Sequence, residues 1–202
     1  FNGWHRQQRV HHTQALLHTM PKPVIAAVNG AASGLGADTA LACDFIIASE
    51  WANFTWSYIH RGIVPDGGGM YFLPRRVGLS KAKELIFTGR TLSAADCLAE
   101  RLVNQVVPAD QVASAARAMA LEIAGNAPLA VRASKRLMRM GLEETFETHV
   151  QHVYLQLLPL FASDDFREGV TSFLEKRPAV FPDKVSDGLT DIFPGYRSPE
   201  FS

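Results

Sequence analysis

Residues 22–49 read K-P-V-I-A-A-V-N-G-A-A-S-G-L-G-A-D-T-A-L-A-C-D-F-I-I-A-S, and residues 62–69 read G-I-V-P-D-G-G-G. In the first stretch an apolar strand, 24–28, runs into a turn of small residues that includes Asn29, Gly30, Gly34 and Gly36. A helical run over 34–43 follows. Backbone amides at such a strand-to-helix turn have no intrahelical partner and sit at the positive end of the helix dipole. They are suited to hold a developing oxyanion.

Working outward, residues 6–19 form a polar, His-rich helix with Val10, Leu16 and Leu17 as its apolar contacts, ended by Pro21 and Pro23. Short strands are expected at 45–48, 53–55 and 105–107. Residues 65–69 make a turn that opens a helix toward Arg76, and 80–87 read as another helix. Ser93 is an N-cap, with Asp96 three residues on, for a helix to Glu100. From Asp110 onward the pattern is helical. Val112, Ala116, Met119 and Ile123 share a face, Gly125 and Asn126 stop that helix, and helices follow over 128–140, 143–158 and 163–176. This cadence predicts an α/β strand–strand–helix superhelix over 1–109, a helical region of the same fold over 110–177, and an irregular tail over 178–202.

Composition narrows the field. The chain has 202 residues, 47% hydrophobic and 20% charged, which suits one compact soluble domain. Twenty basic residues balance twenty acidic ones, so no nucleic acid or anionic membrane is expected as a bulk partner. No apolar run reaches the length of a membrane span. Cys43 and Cys97 read as buried free thiols in a reducing, cytoplasmic setting.

The segment V-I-A-A-V-N-G…G-L-G-A-D…C-D-F-I-I-A, with P-D-G-G-G after it and D-F-R-E-G-V-T-S-F-L-E-K-R-P near the end, resembles the crotonase (enoyl-CoA hydratase/isomerase) superfamily. The likeness runs to about Phe181. It implies an acyl-CoA thioester substrate, whose carbonyl two backbone amides polarise while acidic side chains move protons. Coenzyme A would enter as part of the substrate, with no metal or redox cofactor. Members of the family usually carry a further N-terminal segment that supplies early strands and the first oxyanion amide. On that expectation this chain holds one half of the oxyanion hole.

The resemblance assigns the second oxyanion donor to the Leu35 amide, flanked by Gly34 and Gly36 that let a ligand approach the backbone. A plain helix start is the competing reading. Asp38 aligns with the first of two glutamates used by the family's hydratases, one methylene shorter and so set back by about 1.5 Å. It could equally be an acid favoured by the helix dipole. Tyr58 stands where the second glutamate belongs. A phenol of pKa near 10 cannot replace that carboxylate at neutral pH, which disfavours simple hydration. Tyr58 either hydrogen-bonds substrate or lines the pocket.

Asp66 lies at a turn where several isomerases of the fold place an acidic base, and a dehalogenase of the fold a nucleophile. The alternative is an N-cap for the helix that follows. Gly67 beside it is expected to touch substrate. His11 falls roughly where that dehalogenase carries a histidine base. The histidines at 5, 11, 12 and 18 lack metal-ligand company, and His149 and His152 read as surface residues. Arg132, Lys135, Arg136 and Arg139 read as a solvated face rather than an RNA site. Lys176 matches a lysine that in relatives reaches coenzyme A on a neighbouring subunit. An apolar stripe of Leu142, Phe146, Val150, Val153 and Leu157 points to a homotrimer or a dimer of trimers.

The reaction implied is a double-bond shift, or a related ring isomerisation, by thioester enolate stabilisation. The other readings are enoyl-CoA hydration and a non-catalytic scaffold or RNA binder that keeps the fold.

Overall fold

A computed structural model of the chain describes residues 2–187. Two compact units divide them: residues 2–18 with 24–119, and residues 19–23 with 120–187. The divide on the C-terminal side falls inside a helix, between Met119 and Ala120.

In the first unit, α1 (Asn2–Thr19, of which 2–18 belong here) precedes β1 (Ile25–Val28), β2 (Ala31–Ser33) and α2 (Leu35–Ala42). Next come β3 (Phe45–Ser49), β4 (Asn53–Thr55) and a 3-10 turn at Ser57–Arg61. The series continues through α3 (Gly69–Val77), α4 (Leu79–Thr88), β5 (Thr91–Ser93), α5 (Ala94–Ala99) and β6 (Gln105–Val107), up to the start of α6 (Val112–Ala124). Two three-stranded sheets result. One is parallel, in the order β1-β3-β6, with Ile25 opposite Phe45 and Ile47 opposite Gln105. The other runs β2-β4-β5, with β2 parallel and β5 antiparallel to β4.

The strands take these places for sequence reasons. In β3, Ile46, Ile47, Ala48 and Ser49 are all buried, the continuous burial of a central parallel strand. Asp44 anchors its entrance: its Oδ2 accepts from the Val24 amide at 2.7 Å, which sets β1 beside β3. The Asn104 side chain accepts from the Ile46 amide at 2.8 Å and ties the approach of β6 to the other edge. Phe54 and Trp56 are fully buried and meet Leu41, Leu73, Leu85, Leu92 and Leu102 in one core. The Arg76 guanidinium, at the end of α3, donates to the carbonyls of Leu41 and Cys43, satisfying the last carbonyls of α2.

Strands β2 and β5 and the 3-10 turn are absent from the sequence reading. Each is short, and β2 (Ala-Ala-Ser) carries no β-branched or aromatic residue to mark it. Ser93 caps α5 as expected, through a reciprocal capping box with Asp96. The remaining strands and helices of this unit lie within a few residues of the expected ranges.

The second unit holds the end of α6, then α7 (Pro128–Met140), α8 (Phe146–Phe161) and α9 (Asp164–Glu175). The third of these starts at Phe146 rather than 143, because Thr145 is its N-cap and accepts from the Thr148 amide at 3.3 Å. Ser163 caps α9 in the same way. Asp165 and Asp183 exchange backbone-to-carboxylate bonds, each 3.0 Å, which lay residues 178–183 along α9. Of the expected irregular tail, residues 178–187 show no regular structure beyond a 3-10 turn at Val185–Asp187, and the remainder lies outside the described residues. Among the described residues no helix is long and apolar enough to cross a membrane.

Candidate active site

The turn into α2 is built on Gly34. Its φ of 55° lies in the left-handed region, and a Cβ there would stand 3.5 Å from Tyr58 Cζ. The Gly34 amide donates to the Thr55 carbonyl at 2.9 Å, so β2 and β4 hold the turn in place. Leu35 and Gly36 follow as the first exposed residues of α2, and the Leu35 amide is among those with no carbonyl one turn behind them. The side chain of Thr39 donates to the Leu35 carbonyl at 2.8 Å and accepts from Gln14 on α1 at 3.0 Å.

Asp38, one turn into α2, is fully buried. Three donors converge on its carboxylate: Trp56 Nε1 on Oδ1 at 2.9 Å, and on Oδ2 the Tyr58 hydroxyl at 2.8 Å and the Gly67 amide at 3.1 Å. Burial raises the Asp38 pKa above its ordinary value, the three hydrogen bonds work to lower it, and the nearby Asp66 charge adds a smaller upward push. This carboxylate is a joint between α2, β4, the 3-10 turn and the loop before α3. A Cβ on Gly67 would lie 2.7 Å from Asp38 Oδ2 and 2.6 Å from Leu35 Cδ1. A Cβ on Gly69 would lie 3.2 Å from Asp38 Cγ and run into Oδ1. The glycines of P-D-G-G-G therefore let the Asp66 loop lie directly on the N-terminal turn of α2.

Asp66 does not cap α3. The helix begins after Gly68, which has φ 98° and no side-chain cap. Its carboxylate is only partly buried and accepts from Gln7 Nε2, while its carbonyl accepts from His11 Nε2 at 2.8 Å. Since a carbonyl can only accept, His11 carries its proton on Nε2 in this contact.

Tyr58 bridges the two acids. Burial is the largest cause raising its pKa well above 10, followed by its hydrogen bond to Asp38, the charges of Asp38 and Asp66, and a weaker hydrogen-bonding contact with the Asp66 carboxylate. The phenol is neutral throughout the physiological range. Because its folded pKa lies above the unfolded value of 10.0, the stabilisation it gives is present below pH 10 and lost as pH rises toward the folded value. Alkaline titration followed by phenolate absorbance should show one tyrosine that ionises only as the protein unfolds. In Tyr58→Phe that delayed component should vanish.

Leu35, Asp38, Tyr58, Asp66 and the glycines at 34, 36 and 67 thus come together in the first unit. Lys176 stands in the second, as the left-handed C-cap of α9 with φ 56°. Gln7 and Trp56 were missed by sequence reasoning. Trp56 shows no signal beyond an aromatic residue after a short strand, and Gln7 sits in a polar helix with many equivalent neighbours. Among the described residues, no group of three His, Cys, Asp or Glu side chains is placed to hold a metal ion.

The chain matches the enoyl-CoA hydratase/isomerase family over residues 4–184. It is 41% identical over 175 residues to YngF of Bacillus subtilis, covering 85% of this chain and 66% of YngF. It is 38% identical over 161 residues to the short-chain-enoyl-CoA hydratase of Clostridium acetobutylicum, covering 80% of this chain and 62% of the relative. The crystal structure of enoyl-CoA hydratase from Bacillus anthracis superposes with a TM-score of 0.87 at 36% identity, covering 89% of this chain and 70% of that one. The chain belongs to the enoyl-CoA hydratase/isomerase family of the crotonase superfamily. It spans a little under two thirds of the length of YngF and of the Clostridium hydratase.

Proposed function

We propose that the protein is an acyl-CoA isomerase that shifts a double bond next to a thioester. The observation that carries this reading is the unequal standing of the two acids. Asp38 is buried with both oxygens engaged by three donors, whereas Asp66 is partly exposed and spends nothing on capping. One carboxylate is thus available for proton transfer.

In the proposed reaction the Asp66 carboxylate removes a proton from the carbon next to the thioester carbonyl. The C–H electron pair passes into the thioester as an enolate, whose oxygen the Leu35 amide holds. Return of the same proton to the γ-carbon completes the double-bond shift. Backbone donors aimed at an oxyanion contribute a large share of the rate in such chemistry. Tyr58, already donating to Asp38, lines the site and presents its oxygen as an acceptor. No redox cofactor or metal enters these steps, and coenzyme A is carried by the substrate.

Hydration is the second reading, because the Clostridium and Bacillus anthracis relatives are named hydratases. It asks for two working carboxylates, and the phenol at 58 supplies none. Product analysis separates the two: a 3-enoyl-CoA should give the 2-enoyl isomer without accumulation of 3-hydroxyacyl-CoA, and Tyr58→Glu should raise water addition. Dominant 3-hydroxyacyl-CoA from the parent protein would make it a hydratase.

A homotrimer or a dimer of trimers, a Lys176 contact to coenzyme A and a cytoplasmic location belong to the same proposal. The exposed Phe146, Leu142 and Leu157 of the second unit support the assembly.

A further inference from the structure

Two residues one turn apart on α1 reach the same distant residue. Gln7 Nε2 donates to the Asp66 carboxylate, and His11 Nε2 donates to the Asp66 carbonyl. The other end of the Gln7 amide, Oε1, is buried with no hydrogen-bond partner among the described residues. Leaving a buried acceptor unpaired normally destabilises a fold, so packing alone does not explain a glutamine here. Methionine would fill nearly the same volume without an unpaired oxygen.

We infer that Gln7 is a positioning residue for Asp66, holding its carboxylate in one orientation, with His11 fixing the main chain beneath it. The inference rests on the reading in which Asp66 is the base. The titratable groups that face Asp66 are Asp38 from α2, Tyr58 from the 3-10 turn and His11 from α1. Asp38 opposes a second negative charge, Tyr58 gives its main hydrogen bond to Asp38 and only a weaker one toward Asp66, and His11 is committed to the carbonyl. Gln7 is the group that donates directly to the carboxylate without such a commitment. Its amide also serves the other half of the cycle. Once Asp66 has taken the substrate proton, a half-turn of the amide presents Oε1 to accept from the new carboxyl O–H. The unpaired oxygen then has a partner in the state where Asp66 holds the proton.

The test compares the parent protein, Gln7→Met, Gln7→Glu and Asp66→Asn by kcat and KM of isomerisation and by thermal melting. Gln7→Met should melt at or above the parent temperature and leave KM unchanged. Its kcat should fall roughly tenfold, because a carboxylate free to turn is misplaced relative to the reacting carbon. Gln7→Glu keeps the length of the side chain but sets a second carboxylate against Asp66, and should lower kcat further. A Gln7→Met kcat equal to that of the parent, or a loss of melting temperature with no change in kcat, overturns the inference. If Asp66→Asn is inactive while Gln7→Met keeps the parent kcat, the role of Gln7 alone falls. If Asp66→Asn keeps full activity, the reading of Asp66 as base falls, and the role of Gln7 with it.

Discussion

Asp66→Asn should lose isomerisation by roughly 100- to 10,000-fold, the usual contribution of a positioned acid–base group. Its fold should survive. The carboxylate caps no helix, and the asparagine oxygen can still accept from Gln7 Nε2. Removing its charge also relieves the repulsion felt by Asp38. Stability should therefore stay within about 0.5 kcal/mol of the parent, as for substitutions that break no buried contact. Turnover and melting measured on the same preparation separate the two effects. Parent-like turnover would remove Asp66 from the chemistry.

Asp38→Ala should have the opposite profile, with the damage in the fold. It strips the acceptor from the Trp56 indole, the Tyr58 hydroxyl and the Gly67 amide, all buried in the core. An unpaired buried donor costs about 1–3 kcal/mol. Three of them, with partial relief if Tyr58 turns toward Asp66, give a loss of about 3–5 kcal/mol. That is a large part of the roughly 5–15 kcal/mol that holds a domain folded. Chemical denaturation should show an early midpoint or no cooperative transition. A variant of parent stability that had lost only turnover would make Asp38 a reacting group instead of a joint.

Sequence put Asp66 ahead of Asp38, with Asp38 as secondary acid or positioner, but on likeness to the family and not on a physical ground. The spacing of Asp38 and Asp66 relative to glycine turns identified both as acids near an oxyanion-holding helix start. What separates them is burial and the number of donors on each, which depends on Trp56, Tyr58 and Gly67 arriving from three other segments. The helices and strands β1, β3, β4 and β6 were legible because their apolar residues and caps are local, as at Ser93 and along β3. Strands β2 and β5 were not, since both owe their pairing to β4 rather than to their own residues. The N-cap reading of Asp66 was open in the sequence. It closes only because three successive glycines let the helix start two residues later than the aspartate could cap.

The central claim is that Asp66 is the base and the Leu35 amide the oxyanion donor of one acyl-CoA site. A crystal structure of the protein with a non-reactive acyl-CoA analogue tests it most directly. The thioester oxygen should lie about 2.7–3.1 Å from the Leu35 amide. The Asp66 carboxylate should lie about 3–3.5 Å from the carbon that loses its proton. An acyl chain bound with its reacting carbons turned away from Asp66, or a thioester oxygen remote from Leu35, would contradict it.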